Sequence, residues 1–218
     1  MIVTKHKPLE EILGYLSECK KVFLVGCRLC AATCKTGGDP EVAAFKTTLE
    51  ENGKIVTGVA TLEPVCNTLE VKRLYRERKN EIDEADAILS FACGGGTQTL
   101  AEVIENKKVL PGNDSLFQGE IAKMTIQGGR FEQRCSLCGE CMLAETGGIC
   151  PVTRCPKGLV NGPCGGIKNG KCEVDPENDC VWLLIYERLR KNRDLSVLKK
   201  IHSPKDFSKS KKPQHRIV

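Results

Sequence analysis

Aromatic residues are scarce in this chain: six Phe, three Tyr and one Trp make up 5% of its 218 positions. A surface that stacks nucleic-acid bases draws on more of them. Histidine is scarcer still, with only His6, His202 and His215, all near the ends. Without a central imidazole there is no basis for a histidine general base, a Ser-His-Asp triad or a Cys-His pair. No stretch approaches the ~20 continuous apolar residues of a membrane span. The opening MIVTKHKPLEEI lacks the apolar core of a secretory leader, so a cytoplasmic setting is expected.

What is abundant is cysteine, 14 residues in all. Cytoplasmic thiols are kept reduced, so this many point to metal rather than to disulfides. The formal charge of +5 is unevenly spread. Residues 199–218 hold seven Lys or Arg and one acid, giving the tail +6 and the rest of the chain −1. A near-neutral body makes nucleic acid an unexpected partner. The tail, with Pro204, Pro213 and three serines, reads as a flexible solvated terminus or as a dock for an acidic partner.

Residues 1–120 read as a small parallel α/β domain. Lys21–Gly26, Lys54–Ala60 and Ala87–Ala92 are short continuous apolar runs of the kind that form buried parallel strands, with Lys108–Leu110 a weaker fourth. Helical patterns cover 9–19, 40–52, 69–85 and 97–105, so strands and helices alternate as right-handed crossovers require. Residues 121–198 differ. Positions 135–180 hold eight cysteines and several Gly-Gly or Gly-Pro turns with almost no apolar periodicity. Too little core is available there, so bound metal is expected to fold an irregular domain closed by a terminal helix over 181–192. That helix carries Trp182, Leu183, Leu184, Ile185 and Tyr186. They predict either a docking face or a lid over the cysteine region. The third segment, 199–218, is the basic tail.

Three cysteine groups carry the chemistry. Cys135-x2-Cys138-x2-Cys141, closed by Cys150-Pro151, resembles the ferredoxin ligand run and predicts a 4Fe–4S cluster, although the gap before Cys-Pro is eight residues rather than three. Zinc and an empty thiol cluster are the alternatives. Cys155, Cys164, Cys172 and Cys180 are more widely spaced; they suit tetrahedral zinc, a second cluster, or thiols packed around the first site. Cys27, Cys30 and Cys34 begin at the end of the first main strand, Cys66 follows the second, and Cys93 ends the third. In an open parallel sheet these carboxyl ends share one edge, where ligands bind. Five thiols therefore converge for a cubane that needs four, leaving one spare. Cys19, on a predicted helix, is expected to be a plain thiol. Gly94-Gly95-Gly96-Thr97 lacks the Walker lysine and the full dinucleotide fingerprint, and is expected to let backbone pass close to that cluster. Arg28, Lys35 and Lys46 are candidates to offset thiolate charge.

VGCRLCAATCKTGGDPEV, LEPVC and ACGGGTQTLAEV resemble the small-subunit family of acetogen-type methylenetetrahydrofolate reductases. LVNGPCGGIKNGKCEVDPENDCVWLLIYERL resembles that family's C-terminal domain. The resemblance implies a non-catalytic subunit of an oxidoreductase acting on CH–NH donors in the Wood–Ljungdahl methyl branch. It would carry two 4Fe–4S clusters, and zinc, that feed a flavin-containing methylenetetrahydrofolate reductase catalytic subunit, with FMN and folate on that partner only. The donor would be ferredoxin or a larger redox complex. Against this stand a zinc-stabilised nucleic-acid or protein-binding module and an independent redox or metal-storage protein.

Overall fold

The computed structural model describes residues 1–125 and 128–216. The chain divides into two compact units, one of Met1–Gln118 with Lys123–Phe131 and one of Gly119–Ala122 with Glu132–Val218. The first unit opens with β1 (Ile2–His6) and α1 (Leu9–Tyr15), then β2 (Lys21–Cys27), the single turn α2 (Cys30–Thr33) and α3 (Asp39–Glu51). It continues through β3 (Ile55–Leu62), α4 (Thr68–Glu77), α5 (Lys79–Glu84), β4 (Ala87–Phe91), α6 (Gly94–Val103), β5 (Lys108–Pro111) and β6 (Asn113–Gln118).

The continuous apolar runs are parallel strands, as expected, in the order β3-β2-β4-β5. Side chains alternate across this sheet. Phe23, Val25 and Ile88 meet Val71, Leu74, Ile82 and Leu100 of α4 to α6 on one face. Val22, Leu24, Leu89 and Phe91 meet Ile12, Val42 and Leu49 of α1 and α3 on the other. With both faces covered, polar residues have little place in the strands, which is why no alternating pattern marks them. The chain leaves β2 toward β3 and returns on β2's other side as β4, so the strand order reverses between β2 and β4.

Several boundaries differ from the sequence pattern. The expected helix over 69–85 is two helices broken at Arg78 (φ −115°, ψ 24°), a residue that stacks over the Phe23 ring at 5.8 Å. The expected helix over 97–105 starts at Gly94 instead, with Cys93 as its N-cap. Small residues are needed there, because a Cβ on Gly96 would lie 2.9 Å from Ala92 Cβ. The antiparallel β1–β6 ribbon carries no signal in the sequence: β6 is NDSLFQ, polar and turn-like.

A second ribbon pairs β7 (Glu120–Thr125) with β8 (Gly128–Glu132). Beyond it, the second unit holds, among the described residues, 3-10 turns at Leu143–Thr146, Leu195–Lys199 and Phe207–Ser210, the single turn α7 (Pro151–Arg154) and the helix α8 (Val181–Lys191). Val181, Trp182, Ile185 and Leu189 of α8 pack with Ile149 and Cys180 as its small core. Trp182 Nε1 donates to the Leu159 carbonyl at 3.1 Å. Leu183 and Tyr186 remain 38% and 42% exposed, so α8 is a lid on one face and an open apolar surface on the other. No helix among the described residues is long and apolar enough to cross a membrane.

Candidate functional site

The first thiol group lies where the strand order reverses, the crevice at which open α/β sheets bind ligands. Cys27 is the last residue of β2 and buried; Cys30 opens α2; Cys66 follows β3; Cys93 caps α6 after β4. Partial burial pushes the Cys66 thiol up, and Cys93, Cys27 and Cys30 push it further because neighbouring thiolates repel one another. Cys34 turns elsewhere: its Sγ approaches the Ile2 carbonyl of β1 at 3.9 Å. Cys19 is buried among Ile12, Leu16 and Val22, a plain core thiol as expected.

The backbone around this group is held from several sides. Cys27 N–H donates to Gly37 O at 2.7 Å, and Arg28 N–H to Leu62 O at 2.9 Å. Arg28 grips Asp39 with two bonds of 2.8 and 3.0 Å, and Thr61 Oγ1 also donates to that carboxylate. The guanidinium holds Asp39 down at about 2, so its charge cancels that of Arg28. Lys46 pairs with Glu50 at 3.8 Å. Arg28 and Lys46 thus each have a carboxylate partner. A Cβ on Gly95 would lie 3.9 Å from Cys93 Sγ.

Sequence patterning missed Asn113 and Ser115. The buried Asn113 amide donates to Phe91 O at 2.8 Å and Thr36 O at 3.1 Å, tying the end of β4 to the loop after α2. Ser115 Oγ accepts from Gly94 N–H at 2.8 Å, satisfying an otherwise unpaired donor at the start of α6. Within Pro-Gly-Asn-Asp-Ser both residues look like ordinary turn formers. His6 is packed against Phe45 and Phe91 at 5.5 and 5.8 Å, and burial lowers its pKa, which suits a neutral packing residue.

In the second unit, Cys135, Cys138, Cys141 and Cys150 all line one cavity of about 190 Å³. The loop turns inward through left-handed residues at Leu137 (φ 55°) and Gly139 (φ 74°). Leu137 N–H points at Cys135 Sγ at 3.4 Å, the kind of amide–sulfur contact that stabilises a thiolate. Burial pushes the Cys138 thiol up, but a hydrogen bond with the Glu140 backbone and the Lys205 ammonium outweigh it, leaving the thiol below its usual range. Cys135 and Cys150 also wall a wider cleft of about 650 Å³ with Arg134, Arg154, Arg188 and Lys191.

The remaining four cysteines line a second, smaller cavity. Cys155, Cys164, Cys172 and Cys180 line a cavity of only about 20 Å³. That is space for one water-sized guest. A hydrogen bond from the Gly166 backbone holds the Cys164 thiol down, aided by Lys157. Among the described residues no group of three or more His, Cys, Asp or Glu side chains stands arranged to hold a metal ion. The fit is therefore one of donor type and space: two sets of four soft thiol donors line cavities of different size.

Residues 110–208 match a protein family described as methylene-tetrahydrofolate reductase C terminal, which links the chain to that reductase. No curated protein matches the chain.

Proposed function

We propose, taking the match of residues 110–208 to the reductase C-terminal family as the starting point, that this chain is the electron-transfer small subunit of a methylenetetrahydrofolate reductase. The observation that supports the proposal is that Cys135, Cys138, Cys141 and Cys150 line one cavity and Cys155, Cys164, Cys172 and Cys180 another, while Cys27, Cys30, Cys66 and Cys93 follow the carboxyl ends of three parallel strands. Cys27, Cys30, Cys66 and Cys93 would hold one 4Fe–4S cluster and Cys135, Cys138, Cys141 and Cys150 another. The 20 Å³ cavity favours a single zinc on Cys155, Cys164, Cys172 and Cys180, since a cubane needs far more room. Cys34 is the spare thiol of the first group.

When bound, such clusters supply one-electron steps at low potential. The protein's own part is to exclude water, fix the thiolates and aim dipoles at them. The Arg28–Asp39–Thr61 network and Asn113 fix the first loop; in the second, the Leu137 amide points at Cys135 Sγ. Hydride transfer from reduced flavin to the methylene carbon is assigned to the partner subunit.

The test is anaerobic mixing of the dithionite-reduced, desalted chain with an oxidised flavin-bearing methylenetetrahydrofolate reductase subunit. Bleaching of the flavin absorbance is expected, together with folate reduction only when both proteins are present. A flavin left oxidised by a fully reduced chain, or folate reduction by this chain alone, would overturn the proposal.

A further inference from the structure

Charge alone would leave the basic tail in solvent, yet residues 200–209 are tied down within the second unit at successive points. Lys200 Nζ pairs with Glu145 at 2.6 Å. The Asn161 side chain reads the His202 backbone in both directions, donating to its carbonyl at 2.9 Å and accepting from its N–H at 2.7 Å. Lys209 Nζ pairs with Glu140 at 2.8 Å, and Lys205 with the same carboxylate at 3.6 Å. Backbone meets backbone as well: a Cβ on Gly139 would strike Lys209 O at 2.5 Å.

The tail lysines are not equivalent. Lys200 and Lys209 keep 61% and 47% of their side-chain surface in water, whereas Lys205 keeps 10%. Water screens the first two and screens Lys205 far less. The Lys205 ammonium donates to the Glu140 carbonyl, and Cys138 Sγ contacts that same oxygen at 3.5 Å. Lys205 and Lys209 share the Glu140 carboxylate, and the Asp206 carboxylate faces both as well, so the cluster is balanced in charge. Of the two ammonium groups, that of Lys205 is the one that also reaches the Glu140 carbonyl at the Cys138–Cys141 turn.

We propose that residues 200–209 form a strap whose Lys205 acts, through the Glu140 carbonyl, as a positioning residue that raises the reduction potential of the centre held by Cys135, Cys138, Cys141 and Cys150. The inference rests on the assignment of an iron–sulfur centre to those thiols. Reduction adds one electron from an external donor and breaks no bond; a fixed nearby positive charge favours the more negative product.

The test is a redox titration, followed by electron paramagnetic resonance, of the anaerobically loaded full chain with dithionite and mediators. Lys205→Met is expected to keep its iron. At a fixed potential, one centre should become roughly tenfold harder to reduce, about 59 mV for one electron. Lys205→Arg should restore the wild-type midpoint, and Lys209→Met should move it much less. If Lys205→Met sheds iron, Lys205→Gln is read instead, because its amide keeps a donor for Glu140 O; the same shift is expected. An iron-loaded neutral variant with an unmoved midpoint overturns the proposal alone. A wild-type chain that takes up no iron and sulfide overturns the cluster assignment and the proposal with it.

Discussion

Cys34 and Cys66 show how much a single thiol's direction decides. Both stand in the sequence as members of one five-cysteine group at the sheet's carboxyl edge, and spacing gives no way to choose between them. The structure places Cys34 Sγ 3.9 Å from the Ile2 carbonyl of β1, which favours Cys34 as the spare thiol. The Cys66 thiol is instead pushed up by burial and by the charges of Cys93, Cys27 and Cys30. Replacing Cys34 by Ser should therefore leave the iron content intact, while Cys66→Ser should remove roughly one four-iron cluster. Iron analysis of the two anaerobically loaded variants checks this; a loss confined to Cys34→Ser would reverse the ligand assignment. Lys205 is the other residue that the sequence hid. Its tail composition speaks for solvent, and only its burial beside Glu140 sets it apart from the other tail lysines.

Among elements, those that bury continuous apolar faces were legible and those built from polar residues were not. β2 and β4 announce themselves because both faces are covered. The β1–β6 ribbon does not, because its role is to hydrogen-bond the loops around the site rather than to fill the core. The break at Arg78 has no Gly or Pro to mark it; it comes with the packing of Ile82 and the stacking of Arg78 over Phe23. Glycines divide the same way. Gly37 is buried under the first thiol loop, and an added Cβ would meet Phe91 O at 2.0 Å, backbone that cannot step aside. Gly14, inside α1, has nothing within 4 Å of that position. Gly37→Ala should cost about 3 kcal/mol or more by overpacking. Gly14→Ala should stabilise by about 0.5–1 kcal/mol. Urea denaturation of both variants measures the contrast, and equal small effects would show that the loop tolerates displacement.

At the scale of the whole molecule, the two units solve the folding problem differently. The first has a sheet covered on both faces and needs no metal for its core. The second has one small cluster around α8, and eight cysteines where a core would otherwise be. Composition alone made that contrast visible, because apolar periodicity stops where cysteine density rises. It could not assign a guest to each group, since cavity size depends on how loops close. The most direct test of the account is iron, acid-labile sulfide and zinc analysis of the anaerobically purified chain. Two clusters and one zinc predict roughly eight iron, eight sulfide and one zinc per chain. Zinc without sulfide, in a chain whose circular dichroism shows it folded, would contradict the electron-transfer account.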